Sequence, residues 1–180
     1  DELHIVFICG TFSEWHGLDK LINVVDKYHF TPDDPRLTIH LIGRLSQQQI
    51  ESISVSRNCA DVFKYHGLLE LHLYRPILEK CDFGLTSLAL DRKGLSEAST
   101  LKVREMLAMG LPVYSGHKDT ALDERQSFVK VTSNPELREI FEFGKKCKII
   151  NRYEVRESAK NLIDKESSML LVLSSLLEIF

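Results

Sequence analysis

The sequence holds little of what would staple, stretch or disorder a chain. Its 180 residues include four cysteines, five prolines, nine glycines and one tryptophan. Cys9, Cys59, Cys81 and Cys147 stand 50, 22 and 66 positions apart, with no CxxC pair and no Cys/His cluster. Neither a closed zinc site nor a disulfide framework fits that spacing. They read as buried, reduced thiols, which favours a cytoplasmic setting. The scarcity of glycine and proline excludes collagen-like and low-complexity chains. No charge of one sign dominates: 23 Lys and Arg face 26 Asp and Glu, a net charge of -3. Without a basic excess, non-specific binding to nucleic acid is not expected. No apolar run nears the ~20 residues that span a bilayer, the longest near the end being residues 169–173. Asp1 and Glu2 lead into a short apolar run with no basic flank, unlike a secretory leader. The expectation is a cytoplasmic protein, with peripheral contact at the inner face of the membrane left open.

What is present is a regular alternation. Residues 4–9 (HIVFIC) form an uninterrupted, β-branched-rich run ending at Gly10, as a strand buried on both faces requires. Leu18, Leu21, Ile22, Val24 and Val25 then recur at helical spacing. Further strands are expected at residues 37–42, 62–65, 83–86, 111–114 and 127–131. Helices are expected at residues 47–56, 71–78, 100–109 and 135–143, and from 155 to the end with a break near 165–168. Gly110 stands where a helix ends in a left-handed residue. The pattern predicts one α/β domain over residues 1–180, with a doubly wound, mostly parallel six-stranded Rossmann-like sheet and helices on both faces. In such sheets ligands bind beyond the carboxyl ends of the strands, so the loops after Cys9, Ile42, Tyr65, Thr86 and Tyr114 are the places to search. No GxGxxG follows the first strand, where only Gly10 and Gly17 occur, which disfavours a dinucleotide-binding dehydrogenase.

One segment carries chemistry. In Glu97-Ala-Ser-Thr-Leu-Lys-Val-Arg-Glu105-Met-Leu-Ala-Met-Gly110-Leu-Pro-Val113, Ser99 and Thr100 are good helix caps at the start of a helix that follows a strand. Free backbone N–H groups and the positive dipole end make such a start an anion site suited to phosphate. Lys102 opposes the dipole there, which is tolerable beside an anion. Glu105, about a turn on, offers a carboxylate able to accept two hydrogen bonds from a vicinal diol such as a ribose.

The same segment resembles the signature of the family 4 retaining glycosyltransferases of GT-B fold. That pattern is a Glu, seven residues, a second Glu, a small-residue helix end and Gly-x-Pro-Val, here Glu97, Glu105, Ala108, Gly110, Pro112 and Val113. Residues 7–21 (FICGTFSEWHGLDKL) resemble the opening of that family's C-terminal domain, and the likeness runs over roughly residues 4–145. It implies one half of a GT-B fold, whose N-terminal acceptor domain this chain lacks. It also implies a nucleotide-diphosphate sugar as donor substrate, no metal and no cofactor. The acceptor would be a saccharide or lipid-linked molecule, in a setting such as surface polysaccharide assembly. Glu97 would be the catalytic contact to the donor sugar and Glu105 the ribose ligand. Ser99, Thr100 and Leu101 would cradle the diphosphate by their backbone, with Lys102 as its cation. Trp15 and His16 would lie at the cleft, Arg44 would meet base or phosphate, and the loop at Gly67 would carry the nucleobase.

Most members have Arg just after the first glycine and Lys just before the second, where this sequence has Thr11 and His16. Lys102, Arg44 or a protonated His16 are the substitutes available. Plain alternatives stand beside each role: exposed helix surface for Glu105, a solvated loop for Glu97, simple capping for Ser99 and Thr100, packing for Trp15. His4, His29, His40, His72 and His117 lack ligand spacing and read as structural. Two other functional classes stay open, a non-catalytic nucleotide-binding or partner-docking module and a sugar-nucleotide epimerase-like domain that needs no acceptor.

Overall fold

Successive side chains of a strand point to opposite faces, so a strand apolar throughout must be covered twice. The computed structural model, which describes residues 1–122, 125–132 and 134–164, meets that demand with a sheet between two helical layers. Chain order is β1 (Glu2–Thr11), α1 (Leu18–Lys27), β2 (Arg36–Arg44), α2 (Gln47–Val55), α3 (Arg57–Val62), β3 (Phe63–Tyr65), α4 (Leu71–Lys80), β4 (Phe83–Leu85), α5 (Leu101–Ala108), β5 (Val113–Ser115), β6 (Val129–Val131), α6 (Leu137–Ile149) and α7 (Arg152–Ile163). The six strands lie in the order β3-β2-β1-β4-β5-β6, every pair parallel.

The two cores follow the period of two. Leu3, Ile5, Phe7 and Cys9 of β1 pack in one cluster with Leu18, Leu21 and Val25 of α1 and Ile140 and Phe143 of α6. Val6 and Ile8 point the other way, against Tyr74 and Leu78 of α4, Met106 and Leu107 of α5, and Val155 of α7. Fully burying one such aliphatic side chain contributes roughly 1.5–3 kcal/mol. No helix among the described residues is long and apolar enough to cross a membrane.

The strands fall where the sequence places them, and the differences lie at element ends. Val62 closes α3 instead of opening a strand. The sequence conceals that six-residue helix because its two buried residues, Cys59 and Val62, cannot display a helical period; Ser56 starts it by accepting from the Cys59 N–H at 3.3 Å. α6 runs six residues past the expected stop at Phe143, because Gly144 packs against Leu3 without ending the helix. Gly110 does sit in the left-handed region, with φ 72°. The helix expected from residue 165 onward lies outside the described residues.

One feature of the sheet is polar. His4 on β1, His40 on β2 and His66 after β3 form a row of nearly parallel rings, with centroids 5.5 and 5.2 Å apart. His4 Nδ1 and His40 Nε2 are 3.2 Å apart, and His40 Nδ1 and His66 Nε2 are 2.9 Å apart. One tautomer satisfies the whole row. Glu2 lies 3.6 Å from His4 Nε2 and favours a proton there. His4 Nδ1 then accepts from His40 Nε2–H, and His40 Nδ1 accepts from His66 Nε2–H.

Burial, then the neighbouring His66, His4, Lys64 and Lys80, push His40 down to about 4. A histidine with a lowered folded-state pKa stabilises the fold fully above its unfolded value of ~6.5 and loses that contribution as pH falls to the folded value. Stability should therefore drop by about 2 kcal/mol between pH 6.5 and 4, in urea titrations at a series of pH values. Replacing His40 by Asn should flatten that limb.

Candidate active site

β1 is flanked by β2 on one side and β4 on the other, so the loops leaving β1 and β4 diverge at the switch in strand order. They are stitched together. The Leu88 N–H donates to the His16 carbonyl at 2.9 Å and the Ala89 N–H to that of Trp15 at 3.2 Å. Gly17, at φ 73°, admits this contact, since a Cβ there would meet Leu88 Cβ at 2.9 Å.

α5 begins beside this point with its first amides uncapped. Thr100 is the N-cap residue, but its side chain makes no capping bond and its buried Oγ1 has no partner in the structure. The Ser99 hydroxyl donates to Asp119 Oδ1 at 3.1 Å. Thr100 thus stands at the N-cap position but without a side-chain capping bond, and the leading N–H groups of α5 are left without one, as an anion cradle needs. The Leu101 side chain is 85% exposed, so only its backbone can serve there.

One turn on, three side chains close a ring. Lys102 Nζ donates to Glu105 Oε2 at 3.0 Å and to Tyr74 Oη at 3.3 Å, while Tyr74 Oη donates to Glu105 Oε1. Glu105 is therefore the anion that makes Lys102 tolerable at the helix start. Burial opposes the charge on Lys102, but the bonds to Glu105 and Tyr74 outweigh it and raise its pKa. The Tyr74 hydroxyl is raised by burial and by Glu105. Two of the carboxylate's roughly four lone-pair positions remain for a diol. Burial pushes the Cys9 thiol, near the end of β1, up to about 12, and the charge of Lys102 pulls it the other way. Tyr74 was not foreseen; its helical spacing marked it only as core.

Glu97 is exposed and lines a cleft of about 1000 Å³ with Leu95, Ser96, His117, Lys118 and Thr120. A parallel bridge pairs Glu97 with Lys118, with Ala98 N–H to the Lys118 carbonyl at 3.0 Å and Lys118 N–H to that of Ser96 at 3.2 Å. Arg104 grips Asp119 through both guanidinium nitrogens. Buried His117 sits 3.0 Å from the Ser87 carbonyl through Nδ1. The loop after Tyr114 was a place to search, yet Arg104, Asp119 and His117 carried no spacing signal, because their partners come from different loops.

The remaining candidates lie apart from that cleft. Trp15 lines a separate groove between α1 and α2, and Lys93 Nζ lies 3.6 Å from its ring centroid. His16 Nδ1 accepts the Ser13 N–H at 2.9 Å, and burial, together with Lys93, holds its pKa below the ordinary histidine value. A protonated His16 is thereby a poor replacement for the missing cations. Arg44 is exposed at the end of β2, and the Gly67 carbonyl accepts from the Gly43 N–H at 2.7 Å. No group of three or more His, Cys, Asp or Glu among the described residues is arranged to hold a metal.

The fold is that of a Rossmann-like half of a GT-B architecture, and the comparisons with solved structures agree. Sucrose-phosphate synthase from Thermosynechococcus elongatus superposes with a TM-score of 0.68 at 13% identity, over 100% of this chain and 47% of that one. The catalytic domain of cholesterol-alpha-glucosyltransferase from Helicobacter pylori gives 0.56 at 15% identity, over 89% and 99%. The C-terminal domain of a group 1 glycosyl transferase protein, LpcC, from Francisella tularensis gives 0.56 at 13%, over 89% and 84%. The chain thus spans about half the length of the sucrose-phosphate synthase. No family model matches the sequence, and the curated proteins give no match to it.

Removing the Tyr74 hydroxyl takes one donor from Glu105 and unties α4 from α5. Tyr74→Phe should lower stability by about 1 kcal/mol in urea unfolding without changing the m-value.

Proposed function

We propose that this chain is the donor-binding half of a retaining glycosyltransferase that uses a nucleotide-diphosphate sugar. The observation that carries the reading is the uncapped start of α5 at the switch point, with Glu105 and Lys102 one turn along. In this reading the amides after Thr100 face the diphosphate, and Lys102 adds a cation. Glu105 receives the ribose hydroxyls, and Gly67 marks the nucleobase loop. Glu97 touches the donor sugar from its cleft. Breaking the anomeric C–O bond loads negative charge onto the departing diphosphate, and preorganised donors aimed at that charge supply the largest share of catalysis. Retention then requires the acceptor oxygen to approach on the face the diphosphate leaves. The acceptor, saccharide or lipid-linked, would be held by an opposing N-terminal domain, so this chain alone should bind donor without turning it over.

One observation favours a second reading, a non-catalytic nucleotide-binding module. The cations near the first loop are engaged elsewhere, Lys93 over Trp15 and Arg92 on Asp19 at 2.7 Å.

Calorimetric titration with UDP, GDP and ADP tests the proposal. One nucleotide should saturate the chain with Kd at or below about 1 mM, and Glu105→Ala should weaken it by about tenfold. Failure of all three nucleotides to bind would sink the donor reading.

A further inference from the structure

We infer that Asp119 and Arg104 form a clasp that positions the Glu97–Thr100 loop for the donor diphosphate, without touching the donor themselves; this rests on the donor-binding reading above. Asp119 is 7% exposed and both of its carboxylate oxygens are hydrogen-bonded. Oδ1 accepts from Arg104 Nη2 at 2.8 Å, from Ser99 Oγ at 3.1 Å and from the Ala121 N–H at 3.1 Å, and Oδ2 accepts from Arg104 Nη1. Three of the four bonds converge on Oδ1 and one falls on Oδ2, so the carboxylate is directed at the loop and at Arg104 while it is buried from solvent. Burial works against the charge on Asp119, but Arg104 and the other donors prevail and hold it below the usual carboxylate range.

What the clasp joins gives it a role. Arg104 lies on α5, one residue before Glu105. Ser99 lies at the helix entrance. Asp119 belongs to the loop leaving β5, whose backbone is bridged to Glu97 through Lys118. That loop is itself anchored: Thr86 Oγ1 donates to Ser115 Oγ at 2.8 Å, and the Gly116 N–H donates to the Ser87 carbonyl at 3.1 Å. The clasp thus transmits the rigidity of β4 and β5 to the segment that carries Glu97 and the free amides. It also ties Ser99, the residue just before the N-cap Thr100, to the loop leaving β5. A planar guanidinium in fork geometry fixes direction as well as distance, which Lys cannot do.

The contacts assigned to the diphosphate and to the nucleoside separate here, because Glu105 is held by Tyr74 and Lys102 and not by the clasp. The test uses Asp119→Asn, with Arg104→Lys as a milder second variant should the first fail to fold. For whichever of UDP, GDP or ADP the unsubstituted chain takes, Asp119→Asn should weaken the diphosphate about tenfold. Affinity for the parent nucleoside, followed by ligand-observed NMR, should stay within about twofold. Arg104→Lys should show the same selectivity with a smaller loss. The amides of Ala98 and Lys118, which bond the two loops to each other, should exchange with deuterium about tenfold faster in Asp119→Asn while those of β1 and β2 stay protected. Equal losses for diphosphate and nucleoside, or no loss in a folded variant, would overturn the clasp as a positioning device. Should the unsubstituted chain take no nucleotide, the donor reading fails and the positioning role with it. Hydrogen exchange then tells the two failures apart, because breaking a clasp that fixes the loop still accelerates the Ala98 and Lys118 amides.

Discussion

β1 is bonded along both edges and buried on both faces, and this double enclosure constrains everything else in the molecule. A parallel strand cannot be joined to its neighbour by a tight turn, so each connection must cross one face or the other, and every one among the described residues except β5 to β6 carries a helix. With β1 central, α1 and α3 cover one face and α4, α5 and α7 the other. The loops on the two sides of β1 must then part company at its carboxyl end. The opening is a consequence of covering a two-faced apolar strand, and the chemistry is mounted on its rim.

The rim is assembled by short-range electrostatics. A helix start with uncapped amides is locally unfavourable, and Thr100 at the N-cap position does not relieve it with its side chain. The residue before it, Ser99, is bound to Asp119, and Asp119 is bound to Arg104. Lys102, which would aggravate the helix dipole, is neutralised by Glu105 three residues on. The entrance of α5 therefore keeps a local positive potential in its backbone while its charged side chains compensate one another. Such a surface favours an anion presented to the amides over one presented to the side chains.

The sheet and its helical layers were legible in the sequence because two-sided burial leaves an unmistakable trace: HIVFIC and LTIHLI are apolar apart from His4, Thr38 and His40. The helix α3 was not legible, since six residues are too few for a period. Glu97, Glu105, Ser99, Thr100 and Lys102 could be picked out because they share one continuous stretch of chain. Tyr74, Asp119 and His117 could not, because each becomes relevant only through a partner 28 to 31 residues away or through a neighbouring loop. Spacing along the chain reports helix faces and strand periods, and it is silent about contacts that the topology creates. His16 stands where most members of the resembling family carry Lys, and burial and Lys93 hold its pKa below the ordinary histidine value.

The four thiols are enclosed in the same cores. Burial raises the pKa of each, Cys9 and Cys81 to about 12. A thiol with that value is ionised in only about one molecule in 10⁵ at neutral pH, and the thiolate is the form that reacts. Packing thus protects the cysteines chemically, whatever the redox poise around them. A cysteine introduced at an exposed position such as Leu101 would be the one readily reactive thiol of the folded chain, so a single probe can be attached beside the helix entrance with the native residues left in place.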